Sequence, residues 1–277
     1  MKNLNYFERG GDNMDYTNEY LSKEDLYSYN MKFKYLKLIH SPIGNIMVQD
    51  PVFDKVLRII HTIAKKSDVI LDYGCGWGYL TKKLRDRNYC IVGCDIVKPL
   101  IDRLNDMWLS VFHADDIRLD RANFDLILLL EVLEHVPDPV KFLKTMIKRF
   151  PNSKLLISVP NANRIPLSLG IEDIADKPPH HYTQFNVTKL ISVTEQAGYK
   201  INYQCEVPIK WNEAIYGTVL KLTGCKTNKS INKFGNSEFK IFCYIMFFPV
   251  LYVIGSLLKK FYKRSSGRSY LILAERR

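Results

Sequence analysis

Two short stretches carry residues whose types and spacing can do chemistry. The first is Asp72-Tyr73-Gly74-Cys75-Gly76-Trp77-Gly78, one carboxylate followed by three glycines at alternate positions. Alternating glycines remove the Cβ wherever a ligand must lie against the backbone, and a helix starting directly after them offers its unpaired N–H groups to that ligand. Asp72 stands where a carboxylate accepts hydrogen bonds from a ligand carrying an amino group. A nucleotide-like cofactor is the expectation. The second stretch is Glu131-Val132-Leu133-Glu134-His135, with acid, acid and imidazole at i, i+3 and i+4. On a helix these three would share one face, an arrangement able to hold a divalent cation. His135, together with the pair His180-His181, supplies the imidazoles suited to taking a proton near neutral pH.

The elements that must position these residues follow from the apolar pattern. Asp50-Pro51 supplies an N-cap and a first-turn proline to a helix through Ile63, with Val52, Val56, Ile60 and Ile63 on one face. A strand ends at the glycine turn, and Leu80–Arg87 continues the crossover helix after it. Tyr89–Cys94 reads as a second strand ending at Asp95, 17 residues past Gly78, where an acid can receive two ribose hydroxyls. A helix over Pro99–Trp108 leads to a third strand, Val111–Ala114, which stops at Asp115-Asp116. Phe124–Leu130 is a near-continuous apolar run, as a parallel strand covered on both faces requires, and it runs directly into Glu131. A helix completed by Phe142–Phe150, a fifth strand over Lys154–Val159, a helix over Thr188–Ala197 and a sixth strand over Tyr199–Val207 complete an α/β pattern. Ser269–Glu275 is the last strand.

Spacing distinguishes this glycine turn from the dinucleotide fingerprint, whose sixth position is glycine and is here Tyr79. The D-x-G-x-G-x-G arrangement resembles the first motif of class I S-adenosylmethionine (SAM) methyltransferases. The string from Phe124 to Pro139, F-D-L-I-x-x-x-E-V-L-E-H-V-x-D-P, resembles the ubiquinone-biosynthesis O-methyltransferase group and its small-molecule relatives. Ser158-Val159-Pro160-Asn161, and a His ahead of Phe185 and a helix ending in Ala-Gly-Tyr, are similar to that group too. The resemblance covers roughly residues 65 to 205 plus the last strand. It implies a Rossmann-like seven-stranded sheet, mostly parallel, with helices on both faces and the last strand inserted antiparallel between strands five and six. It implies SAM held by Asp72, Gly74, Cys75, Gly76, Gly78, Asp95, Ile96, Glu131 and either Asp115 or Asp116. Glu131, Glu134 and His135 match positions associated with magnesium in the ubiquinone group. The chain lacks the D/N-P-P-Y/F sequence of many base-amino methyltransferases, which argues against a nucleic-acid base as acceptor.

Composition sets the remaining bounds. With 277 residues, 47% of them hydrophobic, the chain can bury one substantial core with additions. Six cysteines, with no C-x-x-C pair or zinc spacing, read as reduced thiols of a cytosolic protein. The first 30 residues are polar and show no signal peptide. Of the net charge of +11, residues 199 to 277 hold 14 Lys/Arg against 4 Asp/Glu, whereas residues 1 to 198 are nearly balanced. That local surplus suits an acidic surface or a phosphate-bearing partner. Nucleic acid is disfavoured, because the basic residues surround an apolar segment instead of alternating with stacking aromatics.

We divide the chain into an N-terminal cap (1–49), a SAM-binding domain (50–207 with 269–277) and a basic, apolar insertion (208–268). The insertion holds a short amphipathic helix over residues 212 to 222 and then Ile241–Leu258, 18 residues without a charge. Length makes this run a membrane-span candidate. If strands six and seven pair in one sheet, however, a single crossing between them is excluded. The run should enter one leaflet or lie in the interface, its basic flanks at the headgroups, which makes this a cytoplasmic protein held peripherally or monotopically at the inner membrane face. The reading that follows is O-methylation of a lipid-linked, quinone-type or glycan substrate. A soluble methyltransferase whose insertion is a lid or dimer contact is the alternative enzyme, and a SAM-fold protein that binds without catalysis is the non-enzymatic one. Acceptor and oligomeric state are left open.

Overall fold

A computed structural model describes residues 51–106, 109–164, 178, 180–209, 211–223, 249–261 and 267–277. The N-terminal cap, Asp50 and the first eight residues of the Ile241–Leu258 run lie outside the described residues. The layering starts from the central strands. In β1 (Val69–Tyr73), β4 (Leu126–Leu130) and β5 (Lys154–Pro160) alternate side chains point to opposite faces, and nearly all are buried. Leu71, Ile127, Leu129, Leu155 and Ile157 pack on one face, against α5 (Pro139–Arg149) and α6 (Val187–Gln196). Ile70, Leu126, Leu128 and Leu156 pack on the other, against α1 (Pro51–Ile63) and α2 (Tyr79–Arg85). Two-sided burial explains why these strands read as apolar runs without alternation.

The sheet has seven strands in the order β3-β2-β1-β4-β5-β7-β6, where β2 is Cys90–Asp95, β3 Val111–His113, β6 Tyr199–Val207 and β7 Ser269–Arg276. Pairings among β1 to β5 are parallel, and β7 runs antiparallel between β5 and β6, as expected. Chain order reverses between β1 and β4. At such a switch point the loops leaving two neighbouring strands diverge and open a crevice at their carboxyl ends. The glycine turn leaves β1 and the Glu131 segment leaves β4, so the two chemistry-bearing stretches become neighbours.

Some boundaries differ from the sequence pattern for local reasons. The helix α2 stops at Arg85, and Asn88 turns the chain with a φ of 61° before β2. The helix before β3 is α3 (Lys98–Asp106). The strand β4 begins at Leu126, because the Asp125 carboxylate accepts a hydrogen bond from the Val69 N–H at 2.8 Å while the Asp125 N–H donates to the Val69 carbonyl. After β3, a short helix α4 (Ile117–Arg121) is capped by Asp116.

Past β6 comes α7 (Trp211–Thr223) where a short helix is expected, and residues 249–258 form a further helix, α8, followed by a 3-10 turn at Lys259–Phe261. Among the described residues no helix is long and apolar enough to cross a membrane. Because Leu128 is fully buried at the middle of the sheet, Leu128→Ala should lower the unfolding free energy by about 2–5 kcal/mol in urea denaturation. A loss below about 1 kcal/mol would contradict this two-sided packing.

Candidate active site

Gly74, Gly76 and Gly78 all have positive φ, at 76°, 49° and 66°. This is the left-handed region that a side chain rarely adopts. A Cβ on Gly74 would lie 2.7 Å from Val132 Cγ2, so the turn after β1 rests directly on the segment after β4. A Cβ on Gly76 would meet nothing within 4 Å, so that glycine faces open space. The turn is anchored from beneath by N–H groups of Gly74 and Cys75, which donate to the Cys94 carbonyl at 2.8 and 3.0 Å. The thiol of Cys75 packs toward Gly93, and burial pushes its pKa far above the ordinary range, so its contribution is backbone and bulk.

Asp72, at the end of β1, is buried and accepts a hydrogen bond from the Thr81 hydroxyl at 2.6 Å. Burial pushes its pKa up to about 6, against the Thr81 bond, which works downward, and with a smaller upward push from Asp95. Asp95, at the end of β2, is oriented at both oxygens: Oδ2 accepts from the Gly76 N–H at 2.9 Å and Oδ1 from the Val97 N–H at 3.0 Å. Ile96 follows it, half-buried beside the α3 cluster.

The two acids after β3 are separated by their partners. Asp116 caps α4 by accepting from the Arg118 N–H at 2.9 Å and pairs with the Arg118 guanidinium at 2.6 Å. Those bonds hold its pKa down to about 2. Asp115 is exposed, its carboxylate 3.8 Å from His113 Nδ1.

The segment after β4 departs from the helical expectation. Glu131 has a φ of 56°, and only Leu133–His135 forms a 3-10 turn. Glu131, Glu134 and His135 therefore do not share a helix face. Glu131 is drawn toward β5, where its Oε1 accepts from the Ser158 hydroxyl at 2.8 Å. His181 comes in instead: Glu134, His135 and His181 bring one ligand atom each to within 4.8 Å of one another. Two hydrogen bonds bring it there, from the Tyr182 and Thr183 N–H groups to the Glu134 carbonyl at 2.8 and 3.3 Å.

His135 is fixed by a 2.8 Å contact between its Nδ1 and the His180 carbonyl. Since a carbonyl only accepts, Nδ1 carries the proton and Nε2 presents its lone pair. That Nε2 lies 3.9 Å from Glu134 Oε1, and the His181 ring stands edge-on at 4.9 Å. Burial lowers the His135 pKa, keeping the ring neutral. Glu134 is almost fully buried, its pKa is pushed well up by burial and then by Glu131, and among the described residues its Oε2 has no hydrogen-bond partner. An orphaned buried carboxylate oxygen beside two imidazoles fits a divalent cation, nitrogen donors suiting a transition metal better than magnesium.

A family model described as a methyltransferase domain matches residues 47–204. The chain belongs to that methyltransferase family. It is a SAM-dependent methyltransferase, with SAM as its cofactor. The methyltransferase is similar to the ubiquinone biosynthesis O-methyltransferase of Coxiella burnetii (strain Dugway 5J108-111), at 31% identity over 157 residues, covering 50% of this chain and 66% of the relative. With the enzyme of that name from Xanthomonas oryzae pv. oryzae (strain PXO99A) it shares 30% identity over 132 residues, 42% of this chain and 55% of the relative. The match thus spans less than two thirds of either relative's length.

Two solved structures show the fold. Magnesium protoporphyrin IX methyltransferase from Synechocystis PCC 6803 with bound SAH aligns with a TM-score of 0.54 and 12% identity, over 95% of this chain and 99% of that one. A SAM-dependent methyltransferase from Archaeoglobus fulgidus aligns with a TM-score of 0.50 and 18% identity, over 90% and 100%.

The methyltransferase brings Asp72, the glycines, Cys75, Asp95 and Ile96 to the end of β1 and β2, and Glu131, Glu134, His135, His180 and His181 to the ends of β4 and β5. Sequence reasoning missed Thr81 as the partner of Asp72, and it quoted Ser158 only as part of a motif without its role of holding the Glu131 carboxylate from β5. A carboxyl whose pKa is raised on folding adds stability below its unfolded value, near 3.8, and loses it as pH rises through about 6. In the absence of cofactor, Asp72→Asn should therefore flatten the pH dependence of unfolding between about pH 4 and 6, a difference approaching about 3 kcal/mol above that window. Parallel curves for the two proteins would refute the assignment.

Proposed function

We propose that the enzyme transfers the SAM methyl group to a hydroxyl oxygen of a lipid-linked, quinone-type or glycan acceptor at a membrane surface. The observation that carries this reading is the packing of Gly74 on Val132, which sets the cofactor turn directly against the His135 segment. Residues 50–207 with 269–277 act as the catalytic domain and residues 208–268 as the element that meets the acceptor's surroundings.

In this reading the open face at Gly76 receives the cofactor, with Gly74, Cys75 and Gly78 shaping the turn and Asp72 and Glu131 facing its amino-acid end. Asp95, oriented by the Gly76 and Val97 N–H groups, receives the ribose hydroxyls, and Ile96 packs under the adenine. Asp115 takes the adenine amino group, since Asp116 is committed to its own helix and to Arg118. Methyl transfer is an in-line displacement: the acceptor oxygen forms a bond to the methyl carbon as the carbon–sulfur bond breaks, leaving S-adenosylhomocysteine and a methyl ether. Alignment of the two reactants supplies much of the rate. The hydroxyl proton passes to His135 Nε2, the ring being held in the required tautomer by the His180 carbonyl.

The orphaned Glu134 Oε2 favours a second reading of the same cluster. Glu134, His135 and His181 would hold a divalent cation, which when bound would lower the pKa of a coordinated acceptor hydroxyl. His135 then serves as ligand and not as base.

Incubation with labelled SAM should place label in a lipid extract and not in a soluble metabolite extract; label confined to the soluble pool would sink the acceptor class. On the acceptor so found, His135→Gln should cost about 10²–10⁴-fold in kcat while leaving SAM affinity unchanged. Chelation should leave the rate intact. A chelator-abolished rate restored by a divalent salt would transfer the cluster to the cation reading. Asp95→Ala should weaken SAM binding about tenfold or more in calorimetry, the loss of charge-assisted bonds, and unchanged affinity would overturn its role.

A further inference from the structure

We infer that α8 and the turn after it form an in-plane docking surface for an anionic phospholipid bilayer, fixed to the substrate edge of the sheet. Val250, Val253, Ile254 and Leu257 recur at i, i+3, i+4 and i+7, so they form one stripe along the helix. All four are open to solvent, at 58%, 57%, 45% and 53% exposure. Four aliphatic side chains so exposed along the described residues of one helix are not the surface of an ordinary packed helix.

The opposite face of α8 is already occupied. Gly255 is buried where a Cβ would come within 2.4 Å of the Trp211 carbonyl, which only glycine allows. The rings of Trp211 and Tyr252 meet edge-on at 5.9 Å, and Leu258 packs on Ile209 and Ala214. The helix α8 is thus seated on α7 with its aliphatic stripe turned away.

The seat itself is tied to the sheet. The Gly267 N–H donates to Glu206 Oε1 at 2.8 Å, and Asn161 Nδ2 donates to the Gly267 carbonyl at 2.9 Å. The Arg268 N–H donates to the Val207 carbonyl at 2.9 Å, and the Arg268 guanidinium pairs with Glu213 on α7. Asn161 and Val207 lie at the carboxyl ends of β5 and β6, the edge that carries the candidate active site. The stripe and the site therefore keep one geometry.

Charge selects the occupant. Lys259 and Lys260 continue directly from the stripe, Lys263 and Arg264 follow in the sequence, and residues 199–277 hold 14 basic against 4 acidic residues. An aliphatic stripe beside lysines has the composition of an interfacial helix whose apolar face enters the headgroup boundary. The inference rests on the membrane-facing reading of residues 208–268 but not on which acceptor is methylated.

Co-sedimentation of the full chain with vesicles tests it. Vesicles of phosphatidylcholine mixed with phosphatidylglycerol should bind the protein, and phosphatidylcholine alone should bind it far more weakly. Val253→Glu with Leu257→Glu should reduce binding to the anionic vesicles about tenfold or more, since each charge must enter the apolar boundary. Lys259→Ala with Lys260→Ala should reduce it roughly fivefold per lysine and flatten its salt dependence. Both variants should keep the parent's SAM affinity by calorimetry, which separates lost docking from lost folding. Equal vesicle binding by the parent and the Glu variant would overturn the proposal. So would a concentration-dependent dimer that the Glu variant dissolves, which would give the stripe to a second copy. If vesicles bind as expected while label enters only soluble acceptors, the docking surface stands and the acceptor reading falls.

Discussion

The contact on which the rest of the site depends is between Gly74 and Val132. The strands β1 and β4 pair in parallel at the point where chain order reverses, so the loops leaving them must share one volume at the sheet's edge. A left-handed glycine without a Cβ lets the first loop lie on the second. This close approach joins the glycine turn to an acid-and-imidazole segment roughly 60 residues downstream.

Around that contact the polar groups are held by neighbours on other elements. Thr81 on α2 holds Asp72, the Gly76 and Val97 N–H groups orient Asp95, and Ser158 on β5 holds Glu131. Each carboxylate sits in or near the apolar interior, where leaving it unpaired costs far more than in water. Glu134 is the exception: among the described residues its buried Oε2 has no partner, and it faces two imidazoles. Native interiors rarely tolerate such an atom without a functional use. That orphan, and not the spacing of the acids along the chain, sets the cluster of Glu134, His135 and His181 apart from the other carboxylates.

The antiparallel β7 does more than complete the sheet. Gly267 and Arg268, just ahead of it, close hydrogen bonds to Glu206, Val207 and Asn161, so both ends of the long connection between β6 and β7 emerge beside the edge that carries the candidate site. A chain segment rooted at two points a few ångströms apart can grow long at small entropic cost. Its α7 and α8 thus add to the molecule on the side of the sheet where β5 and β6 end.

Much of this was legible in the residues alone. Apolar runs bounded by Asp72, Asp95 and Glu131 marked the strand ends, because two-sided burial excludes polar residues until the strand leaves the sheet. The glycine spacing and the Phe124–Pro139 string marked the cofactor and the family, and the place of the last strand followed. What only tertiary structure decided is which polar atoms meet. The i, i+3, i+4 spacing placed Glu131 with Glu134 and His135, yet a left-handed backbone at Glu131 and the pull of Ser158 remove it, and His181 enters by hydrogen bonds from its neighbours to the Glu134 carbonyl. Asp115 and Asp116 were equal in sequence and differ in the fold, where a helix cap and Arg118 commit one of them. Sequence periodicity reports what a segment prefers over a few residues, whereas these contacts join segments whose distance is set by strand order.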